Sequence, residues 1–264
     1  MEKKSGEIGF GIVGCGGISA KHAAGIRNTA GAKLVMVADV SEQSASKASC
    51  DYGVPCSTDY RDVLKNGDVD VVCVCTPHGL HGGIAVDAAR AGKHVFVEKP
   101  LEVTLKKCDE IIRECRKHKV KLGVVYQLRM LDSSLAVKKA VDSGAFGKIT
   151  MGNGFFRYHR KQEYFSKESW HSSKELSGGG ALMTVGAHGV DWLQWLMGPV
   201  ASVVAFANTA AQEMELEDVS GVLFNFKSGA VGVVEANVSA FPNLPLEFGL
   251  YGTKGSVKIE GLDI

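Results

Sequence analysis

Short apolar runs alternating with longer amphipathic stretches constrain this chain most. Through the first half, strand-like runs at 8–13, 33–39, 69–75, 94–97 and 121–125 are separated by helix-like stretches near 18–28, 42–51, 84–91 and 105–118. Parallel neighbours need a crossover connection, so this rhythm predicts βαβ units and a parallel sheet with helices on both faces. After about residue 145 the rhythm changes. Strand-like runs at 200–209, 216–226, 230–239, 246–251 and 256–260 follow one another, several across turns such as Lys227-Ser228-Gly229. Short connections of that kind predict a largely antiparallel sheet. One long helix, about 181–197, interrupts it. The expected fold class is α/β, with domains at 1–126 and 127–264.

Composition narrows the function. At 264 residues, with 45% hydrophobic and 22% charged residues, the chain is an ordinary globular protein. A formal charge of +1 and the lack of a clustered basic face exclude an electrostatic case for nucleic acid. No apolar stretch approaches membrane-spanning length, and Met1–Glu7 carries no signal-peptide hydrophobic region. Seven cysteines, all in the first half, lack paired zinc-type spacing, so no metal site is expected. Cys73 and Cys75 alternate onto one face of a strand and read as small buried apolar residues in a reducing cytoplasm.

The first strand runs into Gly14-Cys15-Gly16-Gly17-Ile18-Ser19, and a helix follows. In this version of the dinucleotide fingerprint, Gly14 permits the tight turn and Gly16 lets the backbone approach a pyrophosphate at the helix N-terminus. Gly17 and Ile18 complete the turn, and Ser19 stands where a third Gly or Ala is usual. Asp39 ends the second strand a little beyond the expected spacing of about 20 residues, where a carboxylate accepts ribose hydroxyls and repels a 2′-phosphate. No arginine follows it, which favours NAD over NADP. The alternative for Asp39 is a helix cap.

Glu98-Lys99-Pro100 closes the strand at 94–97. Carboxyl ends of parallel strands are where ligands bind in such sheets. A partly desolvated lysine beside a carboxylate can be tuned toward proton transfer near neutral pH. Taken alone, the pair reads equally as a strand-end ion pair.

The chain resembles the Gfo/Idh/MocA oxidoreductase family (glucose–fructose oxidoreductase, inositol dehydrogenase and relatives). Four separated blocks carry the resemblance: Gly14–Ser19; Thr76-Pro77-His78-Gly79-Leu80-His81 with Ala91–Pro100; Gly178-Gly179-Gly180-Ala181-Leu182 leading through His188 and Asp191 to Gly198; and Leu250–Val257. It implies a Rossmann dinucleotide-binding domain, then an α+β domain with an open-faced sheet that binds substrate and packs against another subunit, the active site lying between them. It implies hydride exchange between NAD (NADP possible) and a carbinol carbon of a sugar, polyol or sugar nucleotide. Lys99 and His188 become the catalytic residues. Thr76, Pro77, His81, Glu98, Lys99 and Gln127 join Gly14, Gly16, Gly17, Ile18 and Asp39 at the cofactor. Many dehydrogenases of the family carry aspartate at the position of Thr184, whose hydroxyl can orient an oxygen but not exchange a proton near neutral pH.

The long helix adds its own argument. Thr184, His188 and Asp191 stand at i, i+4 and i+7 among apolar neighbours, a polar stripe that needs partners or a cavity. Upstream, Arg157, Tyr158, Tyr164, Trp170 and His171 are substrate candidates with Thr184 and Asp191, since ring faces stack on sugar rings and polar tips bond hydroxyls or a carboxylate. Each equally suits an ordinary strand. Ending at Leu262-Asp263-Ile264, earlier than family members usually do, leaves an apolar segment and an unpaired sheet edge, which invites homo-oligomerisation. Two other functions remain open: a cofactor-binding sensor without turnover, suggested by Thr184, and an NAD-dependent glycosidase.

Overall fold

Strands β1 (Ile8–Val13), β2 (Ala32–Ala38), β3 (Cys56–Ser57), β4 (Val71–Val74), β5 (His94–Glu98) and β6 (Leu122–Val125) pair in parallel in the order β3-β2-β1-β4-β5-β6. The computed structural model describes residues 6–166 and 169–261, and the chain divides into units Met1–Val125 and Tyr126–Ile264. In the first unit the strands alternate with helices α1 (Ser19–Arg27), α2 (Glu42–Tyr52), α3 (Tyr60–Lys65), α4 (His81–Arg90) and α5 (Leu105–Lys117).

Two apolar cores show why these residues form a doubly covered sheet. Val13, Val72, Val74, Val95 and Val97 pack with Ile84, Ala88 and Ile111 on one side. Ile12, Val37, Cys73 and Cys75 pack with Ala23, Ile26 and Ala48 on the other. The period-two alternation therefore feeds both cores, and Cys73 and Cys75 share a face as expected. Helix ends are marked chemically: Ser41 and Thr104 accept N–H bonds as caps of α2 and α5, and Gly53 at φ 63° ends α2. β3 and α3 are too short to give a periodic signal. α4 begins at His81, three residues before the expected start, because Gly82 and Gly83 dilute the helical pattern there.

The second unit contains α6 (Asp132–Asp142), β7 (Ile149–Arg157), α7 (Lys174–Ser177), α8 (Ala187–Met197), β8 (Val200–Asn208), β9 (Val219–Phe226), β10 (Val231–Asn237), β11 (Glu247–Gly252) and β12 (Ser256–Glu260). The sheet order is β12-β11-β7-β10-β9-β8, antiparallel except for the parallel pair β7 and β10. The sheet is thus mixed, and its inner strand β7 is absent from the list of strand-like runs. Glycine hides it. Gly152 and Gly154 occupy positions where the alternation wants large apolar residues, and a Cβ at Gly152 would lie 2.5 Å from the Met197 sulfur. Close packing of α8 requires the missing side chains.

One face of this sheet holds Phe156, Val222, Phe224, Val234, Phe248 and Leu250 against Trp192, Leu193 and Leu196 of α8. The expected single helix at 181–197 instead begins with a wider π-helical turn, Leu182–Gly186, before α8. Glu217 holds its start: its carboxylate accepts the N–H groups of Gly180 (2.9 Å) and Leu182 (3.1 Å), and its carbonyl that of Ala181 (2.8 Å). Such donors are the orphan groups of a helix N-terminus. The Leu262-Asp263-Ile264 segment lies outside the described residues. No helix among the described residues is long and apolar enough to cross a membrane.

The fully buried Asp218 secures the β8–β9 connection by accepting N–H bonds from Ala210, Ala211 and Gln212, all at 2.7–2.8 Å, and the Ser239 hydroxyl at 3.0 Å. Burial alone would raise its pKa, but these donors outweigh it and hold the carboxyl below the usual carboxylate range. Its stabilisation is therefore full above the unfolded carboxylate value and lost as pH falls through the lower folded value. Asp218→Asn, an amide with one acceptor oxygen, should destabilise the protein by about 1–3 kcal/mol in urea unfolding near neutral pH. The deficit should shrink toward acid, and equal deficits at pH 3 and pH 7 would contradict it.

Candidate functional site

In the first unit, strand order reverses between β1 and β4, and their carboxyl ends meet there. Gly14 stands at that point with φ 95°, its N–H bonded to the Ala38 carbonyl at 2.8 Å. A Cβ on it would lie 2.6 Å from the Cys75 carbonyl, so only glycine fits. Around Gly16 and Gly17 a Cβ would meet nothing within 4 Å. The loop therefore presents bare backbone to open space just before the N-terminus of α1, the form of a pyrophosphate cradle. Ile18 follows, exposed at 38%. The Ser19 hydroxyl closes the turn by donating to the Gly16 carbonyl at 2.7 Å and meets the Tyr52 hydroxyl at 3.0 Å.

Asp39 follows β2 directly. Its two oxygens accept the N–H groups of Cys15 (2.7 Å) and Ser41 (2.8 Å), which fixes the carboxylate beside the glycine loop with lone pairs remaining on each oxygen. The Cys15 thiol beside it is pushed up to about 12 by burial, then by Asp39 and Cys56, and stays protonated. Thr76 follows β4, and its hydroxyl oxygen is buried without a hydrogen-bond partner among the described residues. A buried hydroxyl of this kind can bond a ligand oxygen or a water. Pro77 then opens a short 3-10 turn, His78–Leu80. The bare glycine turn, the oriented carboxylate and this hydroxyl fit a dinucleotide.

His81 departs from the expected cofactor role. It is fully buried, with Nδ1 2.9 Å from the Pro100 carbonyl and Nε2 2.9 Å from that of Thr76. Burial lowers its pKa against the raising influence of those carbonyls and of Glu102 and Glu98. Both ring nitrogens are used, so His81 ties the turns after β4 and β5 together instead of facing a ligand.

Glu98 ends β5 as a buried carboxylate. Its Oε1 lies 2.8 Å from Nε2 of His22 on α1, and its Oε2 accepts the Lys99 backbone N–H at 3.2 Å. Sequence reasoning missed His22, whose only signal is a polar residue on the inward side of a short helix. Lys99 keeps partial exposure, yet the protein packed around its ammonium lowers its pKa through desolvation, with Glu98 opposing.

In the second unit, a cavity of about 190 Å³ is lined by Gln127, Leu128, Phe156, Tyr158, Arg160, Thr184, Val185, His188 and Leu246. It brings together four expected residues, Gln127, Tyr158, Thr184 and His188. The Thr184 hydroxyl donates to the Gly180 carbonyl at 2.7 Å, so toward a ligand it offers an acceptor. His188 stands edge-on to the Tyr126 ring, centroids 6.2 Å apart.

Other candidates lie elsewhere. Asp191 pairs in fork fashion with Arg129, Nε to Oδ2 at 2.7 Å, and so ties α8 to the 3-10 turn that carries Gln127. Arg157 is engaged by Glu235 across the β7–β10 pair at 2.8 and 3.0 Å, and the pleat sends it away from Phe156 and Tyr158. Neither lines the cavity. His171 stacks on Trp170 (3.8 Å) and lies over Tyr164 (3.9 Å). Arg160, absent from the expected residues, joins this group to the cavity. Among the described residues no group of three His, Cys, Asp or Glu side chains is placed to hold a metal ion.

Residues 8–126 match the oxidoreductase family model with an NAD-binding Rossmann fold, and residues 134–258 match the GFO/IDH/MocA C-terminal domain. The chain belongs to the Gfo/Idh/MocA oxidoreductase family. Within it, the WlbA dehydrogenase of Bordetella pertussis, solved with NADH and UDP-GlcNAcA, superposes with a TM-score of 0.93 at 34% identity, over 98% of this chain and 75% of that one. Levoglucosan dehydrogenase of Pseudarthrobacter phenanthrenivorans is 28% identical over 84% of this chain and 63% of its own length. The 2,7-anhydro-N-acetylneuraminate hydratase of Mediterraneibacter gnavus is 30% identical over 97% of this chain and 68% of its own. The chain therefore spans under two thirds of the first of these curated relatives.

Gly14→Ala tests the cradle. The added methyl and the positive φ should weaken NADH binding by about 5- to 100-fold in a fluorescence titration. Unchanged affinity would remove Gly14 from the cofactor site.

Proposed function

We propose that this chain is an NAD-dependent dehydrogenase that moves hydride between the nicotinamide and a carbinol carbon of a sugar, polyol or sugar nucleotide. The observation that carries the reading is Lys99, an ammonium with its pKa lowered by burial, placed beside a buried carboxylate at the carboxyl edge of a dinucleotide-type sheet. Gly14, Gly16, Gly17, Ile18, Asp39, Thr76, Pro77 and Glu98 hold the cofactor, and Asp39 favours NAD over NADP. When bound, NAD supplies the hydride acceptor at nicotinamide C4.

The protein's own groups handle the proton. In the oxidising direction Lys99, deprotonated at Nζ, accepts the hydroxyl proton as hydride leaves the same carbon. The lowered pKa enlarges the neutral fraction available for this near neutral pH. His188 is the second acid–base group. Thr184 and Gln127 hold hydroxyls from the cavity wall, Thr184 as an acceptor because its proton is committed to Gly180. Tyr158, Tyr164, Trp170 and His171 supply ring faces for the sugar.

A panel of polyols, aldoses and sugar nucleotides with NAD should give nicotinamide reduction, with products identified because a hydratase stands among the relatives. Lys99→Met should lower kcat by about 10²–10⁴-fold while NADH still binds. Normal turnover in that variant would remove Lys99 from its role. Glu98 raises the Lys99 pKa, so Glu98→Gln should move the acidic limb of the kcat/KM profile to lower pH. An unmoved limb would show that Glu98 does not govern Lys99.

The protein assembles through the second sheet, in a cytoplasmic setting suited to seven free thiols. The sheet face turned away from α8 carries Phe206 (77% exposed), Val204 (61%), Leu223 (53%), Val231 (43%) and Met151 (40%). Register places Val204 opposite Leu223 and Val231 opposite Met151, which makes a contiguous apolar surface of the kind that marks an interface. Light scattering should report a homo-oligomer that Leu223→Glu with Phe206→Glu converts to monomer. A monomeric parent protein would end this part of the reading.

A further inference from the structure

Arg160 lines the second unit's cavity, whose other polar residues are Gln127, Tyr158, Thr184 and His188. Among the described residues no aspartate or glutamate lines it. The neighbouring arginines of this unit are neutralised: Arg129 is held by Asp191, and Arg157 by Glu235. Arg160 differs. Among the described residues no carboxylate pairs with its guanidinium, which lies instead over the rings of Tyr158 (5.7 Å to the centroid) and Tyr164 (5.4 Å). Tyr164 in turn belongs to the Trp170–His171 stack.

The backbone beneath is also fixed. The Arg160 N–H donates to the Val238 carbonyl at 2.7 Å, and the Arg160 carbonyl accepts from the Gln212 amide at 2.9 Å. Cation–π contact with two aromatic faces restrains this exposed side chain, and such contact engages the guanidinium face and not the edge that donates hydrogen bonds. A guanidinium edge matches the paired oxygens of carboxylate and phosphate. With no acidic residue among the described residues of the lining, none of them repels an anion.

We propose that Arg160 is the specificity-determining residue of the cavity, and that it selects sugars bearing an anionic oxygen group, a carboxylate or a phosphate, over neutral sugars. This rests on the dehydrogenase reading and adds the class of substrate to it. Arg160 binds and orients the anionic group, while the groups already assigned carry the proton.

The test compares glucose, glucuronate and glucose 6-phosphate, which differ at a single carbon and separate the carboxylate from the phosphate source. kcat/KM with NAD should be higher for one or both anionic sugars by about 10- to 100-fold, the range of a charge-assisted hydrogen bond. Arg160→Gln should collapse that ratio mainly through KM, and Arg160→Lys should restore part of it. The ratio carries the result, because a folding defect scales both rates together. Equal use of neutral and anionic sugars, or a ratio untouched by Arg160→Gln, overturns the inference and leaves the dehydrogenase reading standing. Should none of the three be oxidised, calorimetric titration of each into NADH-loaded protein decides. Tighter anionic binding that Arg160→Gln abolishes supports the anion site although the reaction has failed. Equal or absent binding of all three overturns it.

Discussion

The close approach of β1 and β4 at Gly14 is the contact on which the first unit's chemistry depends. The Gly14 N–H is spent on β2, the Cys75 N–H bonds Val13, and the Cys75 carbonyl occupies the space a side chain would need. This brings the turn after β1, Asp39 after β2 and Thr76 after β4 to one edge of one sheet. Parallel strands all end on the same side, so each contributes its next residue there. Glu98 at the end of β5 and Lys99 after it follow from the same geometry. The Glu98 carboxylate tolerates burial because His22 and the Lys99 backbone N–H supply hydrogen bonds that water would have provided.

The second unit solves a different problem with similar means. A helix must present polar groups to a cavity while its remaining surface packs on a sheet. Gly152 and Gly154 let α8 lie close on β7, Glu217 satisfies the helix start, and Asp191 with Arg129 ties α8 to the turn carrying Gln127. Thr184 and His188 then face the cavity at fixed height. Beside it the Arg160 guanidinium lies over the rings of Tyr158 and Tyr164.

The sequence is most legible, and reaches furthest into the fold, where one residue type has one physical reason to occur. The glycine turn, the acid after the second strand and the Glu98-Lys99 pair could be placed because strand ends in a parallel sheet share an edge. It went less far where a choice depends on phase. Arg157 and Arg160 look alike in the string Phe155–Arg160, yet alternation sends Phe156, Tyr158 and Arg160 one way and Arg157 the other. That phase was unreadable while β7 itself was hidden by its glycines. The i, i+4, i+7 stripe brings Thr184 and His188 to the cavity, while its last member, Asp191, is taken by Arg129 of the 3-10 turn, a partner 62 residues away that no helical pattern announces.

By itself the sequence determined the α/β class, the parallel sheet with its dinucleotide turn, and the lysine at the end of β5, because local periodicity and turn chemistry act over a few residues. Tertiary structure decided which polar residues are spent on the protein and which line the cavity. His81 is taken by the Thr76 and Pro100 carbonyls, Asp191 by the Arg129 guanidinium and Arg157 by the Glu235 carboxylate, whereas Arg160 meets aromatic rings. Such pairings are set by which elements pack together, and no local pattern encodes them.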